Sequence, residues 1–299
     1  MKKIYWIIAL IAITFIGDRI GGFILEKLIQ KSQFRYSRLY KGEAESDILL
    51  VGNSRGLMFY QPHIESITGK STFNISYNGM SMDLARVLVE DYLELYPSPE
   101  VMVLDITMCD RKNDGLIAGF NAYSSFSDAL TNLVKESNPK VGTAAQLSHL
   151  YRYNGEIFQR ALYYLGRSDE DWLLDRVITE DLVSTVEECE PYEIEVPEDI
   201  FEDFKATVEL AQSKGVEVHL LINPYYPPYA NKITNLESLR ERFGKAVGLE
   251  VHDYSSAVTE LEGFGDYQHL NKNGSRAFLD LLLKDNILKG ENVGSLIQQ

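Results

Sequence analysis

A serine hydroxyl becomes a nucleophile only when an imidazole takes its proton, and that imidazole needs an acceptor to hold it in one tautomer. Two stretches far apart in the chain offer these residue types. "VGNSRG" presents Ser54 at the end of an apolar run, and "DYQHLNKNG" places Asp266 three residues before His269. A carboxylate at that spacing can reach the ring nitrogen the serine does not use. Taken singly, each motif also has a plain reading. Ser54 would serve as a helix cap at a strand-to-helix turn, and D-x-x-H is weak by itself. Together, one near the first strand and the other before the last helix, they point to an activated serine nucleophile.

The elements that must position these residues follow from hydrophobic patterning. "DILLVG" (47–52), "STFNIS" (71–76), "EVMVLDI" (100–106), "GVEVHLLI" (215–222) and "LEVHDY" (249–254) read as five strands, the first a continuous apolar run of the kind buried on both faces of a parallel sheet. Helices alternate with them. "MDLARVLVEDYLELY" sets Leu84, Val87, Leu88, Tyr92 and Leu95 at helical spacing, and "NLESLRERFGKAVG" and "KNGSRAFLDLLLKD" follow the fourth and fifth strands. The expectation is an α/β fold with a doubly wound, mostly parallel five-stranded sheet. An excursion at about 107–197, between strands three and four, is rich in Tyr, Phe and Asn and reads as an inserted helical cap. Its helical pieces are "FNAYSSFSDALTNLV", "LYRYNGEIFQRALYYLG" and "DEDWLLDRVITEDLV".

Ligands in such sheets bind outside the carboxyl ends of the strands. Those ends carry Asn53 and Ser54, then Asn74 to Gly79, then Asp105 and Thr107, then "NPYYPPY", then "GDYQHLNKNGS". Asp105 reads as a buried acid propping the site or as a cap. Arg55 could hold an anionic group of a substrate, although an ion pair tying down its loop is the plainer role. Tyr225, in the Tyr- and Pro-rich stretch, offers an aromatic face to a sugar ring or simply a rigid loop. His63, His149, His219 and His252 lack a partner pattern and read as structural.

Composition narrows the classes. The 299 residues carry a formal net charge of −15, which repels phosphate backbones and argues against nucleic acid as a partner. No His–carboxylate cluster has metal spacing and no Gly-rich loop with Lys follows a strand, so neither a metal nor another cofactor is expected. Cys109 and Cys189 form no CxxC, and a bridge between them stays open as an option in an exported chain.

The set "VGNSRG", "NISYNGMS", "VMVLDI" and "DYQHLNKNG" resembles the SGNH (GDSL-like) hydrolase superfamily over about 47–110 and 215–285. The resemblance implies Ser54 as nucleophile, His269 as general base and Asp266 as its orienting acid. It also implies that Gly79 and Ser54 offer backbone N–H groups to an oxyanion. The pattern departs from the family in two places. Asn53 stands where an Asp is usual, and no Asn directly follows the third strand. Asn78 and Asn113 are the candidate replacements for that side-chain donor.

The first residues differ from the rest. Lys2 and Lys3 precede an apolar run from Ile4 to Ile16, 13 residues long. Continuing through Asp18 and Arg19 to Leu25 reaches the roughly 20 residues a bilayer requires. With no small-x-small cleavage site, 1–28 reads as an uncleaved single-pass signal-anchor, its lysines inside and the remainder extracytoplasmic. Residues 29–46 read as a membrane-proximal connection and 47–299 as the SGNH-like domain. A tethered SGNH-like domain is similar to envelope proteins that O-acylate polysaccharides. It implies serine-dependent acyl-ester hydrolysis or transfer on an acylated glycan or envelope polymer, beside a membrane partner that exports acyl groups. The alternative is a catalytically inactive envelope protein that keeps the fold and binds a glycan or an assembly partner.

Overall fold

The computed structural model describes residues 2–170 and 172–289, Lys2 by its backbone only. Met1, Asp171 and the last ten residues of the expected 47–299 domain lie outside the described residues. The chain divides into two compact units, Met1–Glu43 with Asn113–Asp169, and Ala44–Lys112 with Glu170–Gln299.

The larger unit holds the sheet. Its strands are β1 (Ile48–Val51), β2 (Thr72–Asn74), β3 (Val101–Asp105), β4 (Glu217–Ile222) and β5 (Val251–Asp253). They lie in the order β2-β1-β3-β4-β5, and every pairing is parallel. This is the flavodoxin-like doubly wound order, with its switch point between β1 and β3. The five stretches read as strands all form strands, each trimmed by a residue or two at its ends. β1 and β3 are buried along their whole length, which explains their lack of alternation.

One sheet face packs Ile48, Leu50, Val101 and Val103 against Ile64 of the helix Gln61–Thr68 and Phe278, Leu279 and Leu282 of the helix Lys272–Lys284. The helices Met82–Leu95 and Glu198–Ser213 pack on each other, and Phe204 of the second meets Phe243 of the helix Leu236–Val247 at 4.7 Å. Each fully buried Leu or Phe contributes on the order of 1.5–3 kcal/mol to this core.

The smaller unit is helical: Lys2–Ile29, Arg35–Lys41, Asp114–Gly119, Asp128–Ser137, Pro139–Leu147 and Glu156–Tyr163, with 3-10 turns Phe120–Phe126 and Leu150–Tyr153. Residues read as a polar connection are part of its core. Phe34 stacks on Tyr164 at 5.6 Å, and Tyr36 meets Phe120 edge-on at 4.6 Å. Between them Arg35 is buried and pairs with buried Asp169, Nε to Oδ2 at 3.0 Å. Burial works against the Arg35 charge, but Asp169 outweighs it and holds the guanidinium above its ordinary value. The helix Lys3–Ile29 is long and apolar enough to cross a membrane, with a mean hydropathy of 1.9.

The excursion between β3 and β4 is therefore shared. Asn113–Asp169 belongs to the helical unit and Glu170–Pro197 to the sheet unit. Among the described residues of the piece at 169–183, helix begins only at Glu180, the start of Glu180–Glu188. Trp172 to Thr179 is irregular, because Leu174 pairs by a parallel bridge with Asn271 and Ile178 donates its N–H to the Phe264 carbonyl at 2.8 Å. The Cys109–Cys189 bridge does not form, and both thiols are free, Cys109 at 0% exposure.

Candidate active site

β1 ends in a turn that only small residues permit. A Cβ on Gly56 would lie 2.3 Å from Ser76 Oγ, and one on Gly52 would lie 3.0 Å from Gly56 Cα. The chain thereby folds back at once into the 3-10 turn Arg55–Met58, with Ser54 at its N-cap position. The Ser54 hydroxyl makes no capping bond there. Asn53 does the local work, its Oδ1 accepting the Arg55 N–H at 3.0 Å. From the end of β2, Asn74 holds the turn from outside, Nδ2 donating to the carbonyls of Gly56 (2.8 Å) and Phe59 (3.1 Å).

The second turn follows β5. Gly265 N–H donates to the His269 carbonyl at 2.9 Å, and Phe264 pairs antiparallel with Leu270. Asn271 caps the helix Lys272–Lys284, its Oδ1 accepting from the N–H groups of Asn273 and Gly274. Ser275 of that helix donates to the Met58 carbonyl at 2.5 Å. That bond ties the serine turn to the histidine turn across 217 residues.

The ties bring three side chains into one line. Ser54 Oγ lies 2.8 Å from His269 Nε2, and His269 Nδ1 lies 2.8 and 3.0 Å from the two Asp266 oxygens. An ionised carboxylate only accepts, so Nδ1 carries the proton and Nε2 presents its lone pair to the Ser54 O–H. Asp266 Oδ1 also accepts the N–H groups of Gln268 (2.9 Å) and His269 (3.0 Å). Burial pushes the Asp266 carboxyl up, but the hydrogen bond from His269 and the two backbone donors outweigh it and hold it below its ordinary value. Arg176 reaches over the same acid, Nη2 to Oδ2 at 3.5 Å.

Beside the serine lies a cavity of about 150 Å³, lined on its apolar side by Leu57, Met58, Trp172, Leu173 and Leu174. Asn78 borders it too and is exposed. Gly79 takes φ +69° in the turn Tyr77–Met80, a conformation that favours glycine. Trp172 to Leu174 came from a stretch read as helix, and only a break in its periodicity could have signalled otherwise. Arg176, Gln268, Asn271 and Ser275 were equally unmarked, although an Asn before a helix is a recognisable cap signal.

Arg55 and Asp105 form an ion pair behind the serine, Nε to Oδ2 at 3.6 Å, both buried. Asp105 also caps the 3-10 turn Ile106–Asp110, accepting the Thr107 N–H at 2.9 Å. The Arg55 guanidinium lies over the Tyr225 ring at 4.5 Å and donates to Thr107 Oγ1. Burial opposes its charge, but Tyr225 and then Asp105 outweigh this and raise its pKa. Burial likewise pushes the Tyr225 phenol up to about 12. Arg55, Thr107 and Tyr225 wall a second cavity of about 420 Å³ with Tyr192, Tyr229, Arg111 and Gln268. Gln268 Nε2 donates to Tyr229 Oη at 2.8 Å, and Tyr192 donates to the same oxygen at 2.9 Å. Among the described residues no group of His, Cys, Asp and Glu has the arrangement of a metal site.

No protein-family model matches the sequence, and no curated protein matches it. Solved structures similar to the chain include two from Bacteroides. One is an inferred acylhydrolase from Bacteroides fragilis, with 15% identity, covering 81% of this chain and 88% of its own at a TM-score of 0.41. The other is a GDSL-like lipase from Bacteroides thetaiotaomicron, with 15% identity, covering 80% and 86% at a TM-score of 0.39. At that similarity, function is left to the chemistry of the site.

Proposed function

We propose that the protein is a serine-dependent acyl-ester hydrolase or O-acyltransferase of SGNH type, acting on an extracytoplasmic carbohydrate or envelope polymer and anchored by its N-terminal helix. The observation that carries this reading is the hydrogen-bonded line from Asp266 through His269 to Ser54.

In this mechanism His269 Nε2 takes the Ser54 proton as Oγ attacks the acyl carbonyl, and Asp266 stabilises the imidazolium. The tetrahedral oxyanion is met by the N–H groups of Ser54 and Gly79, with the Asn78 side chain as third donor. Collapse breaks the ester bond, and the departing alcohol takes the proton from His269. Water or a sugar hydroxyl, deprotonated by His269, then resolves the acyl-enzyme. Arg55 and Asp105 position the turn and touch no reacting atom.

The cavities support a polar ester of a small acid. The space by Ser54, about 150 Å³ with an apolar wall on one side, suits a short acyl chain. The larger cavity combines tyrosine faces with amide and guanidinium donors and the acids Asp110, Glu193 and Glu195, a lining suited to a polyhydroxylated alcohol.

A fluorophosphonate probe tests the chemistry directly. Wild-type protein should be labelled and Ser54→Ala should not. Failure to label the folded wild type would overturn the enzyme reading in favour of a glycan- or partner-binding protein. With p-nitrophenyl acetate as donor, a polyol that accelerates release and appears acylated would assign transfer over hydrolysis.

A further inference from the structure

The apolar N-terminal helix has charges where a membrane span should have none, and the smaller unit answers them. From Ile4 to Ile16 its large side chains stand exposed on every side, as lipid contact requires. That stretch, at 1.5 Å per residue, is only about 20 Å long, short of the roughly 30 Å hydrocarbon core. Extending the span to Ile24 supplies about 31 Å. The outward stripe Ile20, Phe23 and Ile24 is also exposed, and Lys27 closes it at helical spacing, where a long cationic side chain reaches the headgroups. The span that fits the bilayer therefore places Asp18 and Arg19 inside it, Asp18 about 9 Å below Ile24.

An ionised group at that depth must be paired or hydrogen-bonded. Asp18 accepts from the Ser148 hydroxyl at 2.5 Å and from the N–H groups of His149 (2.8 Å) and Leu150 (3.2 Å). Arg19 donates to the Leu147 carbonyl at 3.3 Å and lies over the Phe15 ring at 4.6 Å. The loop is seated against the helix where the helix has no side chains. A Cβ on Gly22 would fall 2.4 Å from His149 Cβ, and one on Gly21 2.8 Å from Leu150 Cδ2. On its outer side the same loop shows Leu147, 73% exposed, and Leu150, 43% exposed. A loop that satisfies an intramembrane carboxylate while turning Leu147 outward and leaving Leu150 part-exposed fits a lipid environment.

We propose that the 147–150 loop is a lipid-embedded foot: this part of the helical unit sinks into the upper hydrocarbon layer beside its own span, with Asp18 as the clamp. This rests on the reading of the N-terminal helix as a membrane span and commits to lipid as what covers Leu147 and Leu150. The span is then a packed part of its unit, with no separable tether between them.

The test uses the full chain in phosphatidylcholine–phosphatidylglycerol vesicles, in a Cys189→Ser background, with an environment-sensitive NBD label on single cysteines. Ile11→Cys reports the span, Leu147→Cys and Leu150→Cys the foot, and Leu261→Cys, 39% exposed in the sheet unit, serves as the wet control. Blue-shifted emission is expected at 11, 147 and 150. Quenching at 147 and 150 should be stronger from lipids carrying a spin label in the upper part of the acyl chain than from ones labelled on the headgroup or at the chain end. A dry label at 11 with wet labels at 147 and 150 would overturn the foot and leave the span standing, and would point to a protein partner covering those leucines. A wet label at 11 would remove the span itself. Gly22→Leu, which the His149 contact cannot accommodate, should return the label at 147 to water-like emission while that at 11 stays dry. Unchanged emission at 147 in Gly22→Leu would refute the clamp.

Discussion

Replacing Asn271 with alanine probes how the histidine turn is held. The side chain is 2% exposed and makes five hydrogen bonds. Its Oδ1 caps the last helix by accepting from Asn273 (3.0 Å) and Gly274 (3.2 Å). Its Nδ2 donates to the carbonyls of Glu262 (2.7 Å), Arg176 (3.2 Å) and Phe264 (3.2 Å). Loss of the cap costs about 1 kcal/mol. Of the carbonyls, Phe264 keeps a second donor in Ile178 N–H, so Glu262 and Arg176 are the ones left short, at about 1 kcal/mol or more each. The total, about 3–4 kcal/mol, is a large part of the 5–15 kcal/mol typical of a domain. Urea unfolding should show a lower midpoint with unchanged slope. Because the amide touches neither cavity, kcat should fall while KM holds. Asn271→Asp keeps the cap acceptor but turns a carboxylate toward three carbonyls, and should be no more stable than the alanine variant. A loss under about 1 kcal/mol in Asn271→Ala, or wild-type stability in Asn271→Asp, would refute this account of the turn.

Arg55→Met strands the Asp105 charge at 0% exposure and should cost about 3–5 kcal/mol in chemical denaturation. Adding Asp105→Asn should recover part of that loss, and strict additivity in the double-mutant cycle would exclude coupling between the pair. Gly274→Ala would gain about 1 kcal/mol on helix propensity alone. Here the new Cβ would lie 2.0 Å from the Gly263 carbonyl oxygen, so a lower melting temperature is expected and a higher one would contradict the packing. The depressed carboxyl of Asp266 contributes stability that is present above the unfolded value near 3.8 and lost as pH falls through the lower folded value. The stability difference between wild type and Asp266→Asn should therefore shrink on acidification below about pH 5, and a pH-independent difference would contradict the linkage.

Strand positions were legible in the sequence because burial on both faces writes itself as unbroken apolar runs, as in Ile48–Val51 and Val101–Asp105. The helices beside them carry their own 3.6-residue period. Ser54, Asp266 and His269 were legible because a nucleophile–base–acid set of the kind proposed needs those residue types, and Asp266 reaches His269 within a single turn. The run around Trp172–Leu174 reads as helix yet is irregular, because its conformation is set by pairing with Asn271, about a hundred residues away. Residues 34–41 read as a connection for a similar reason: Arg35 becomes a core residue only once Asp169 is beside it.

The amino-acid order by itself thus determined the local periods, the parallel α/β class and the reactive residue types, since each depends on neighbours within a few positions. Only the tertiary structure decided the approach of Ser54 to His269, the burial of Arg55 on Asp105 and the docking of Asp18 on the 147–150 loop. Those are contacts between groups far apart in sequence, and they exist because packing closes the long loops between them. No local pattern encodes that distance.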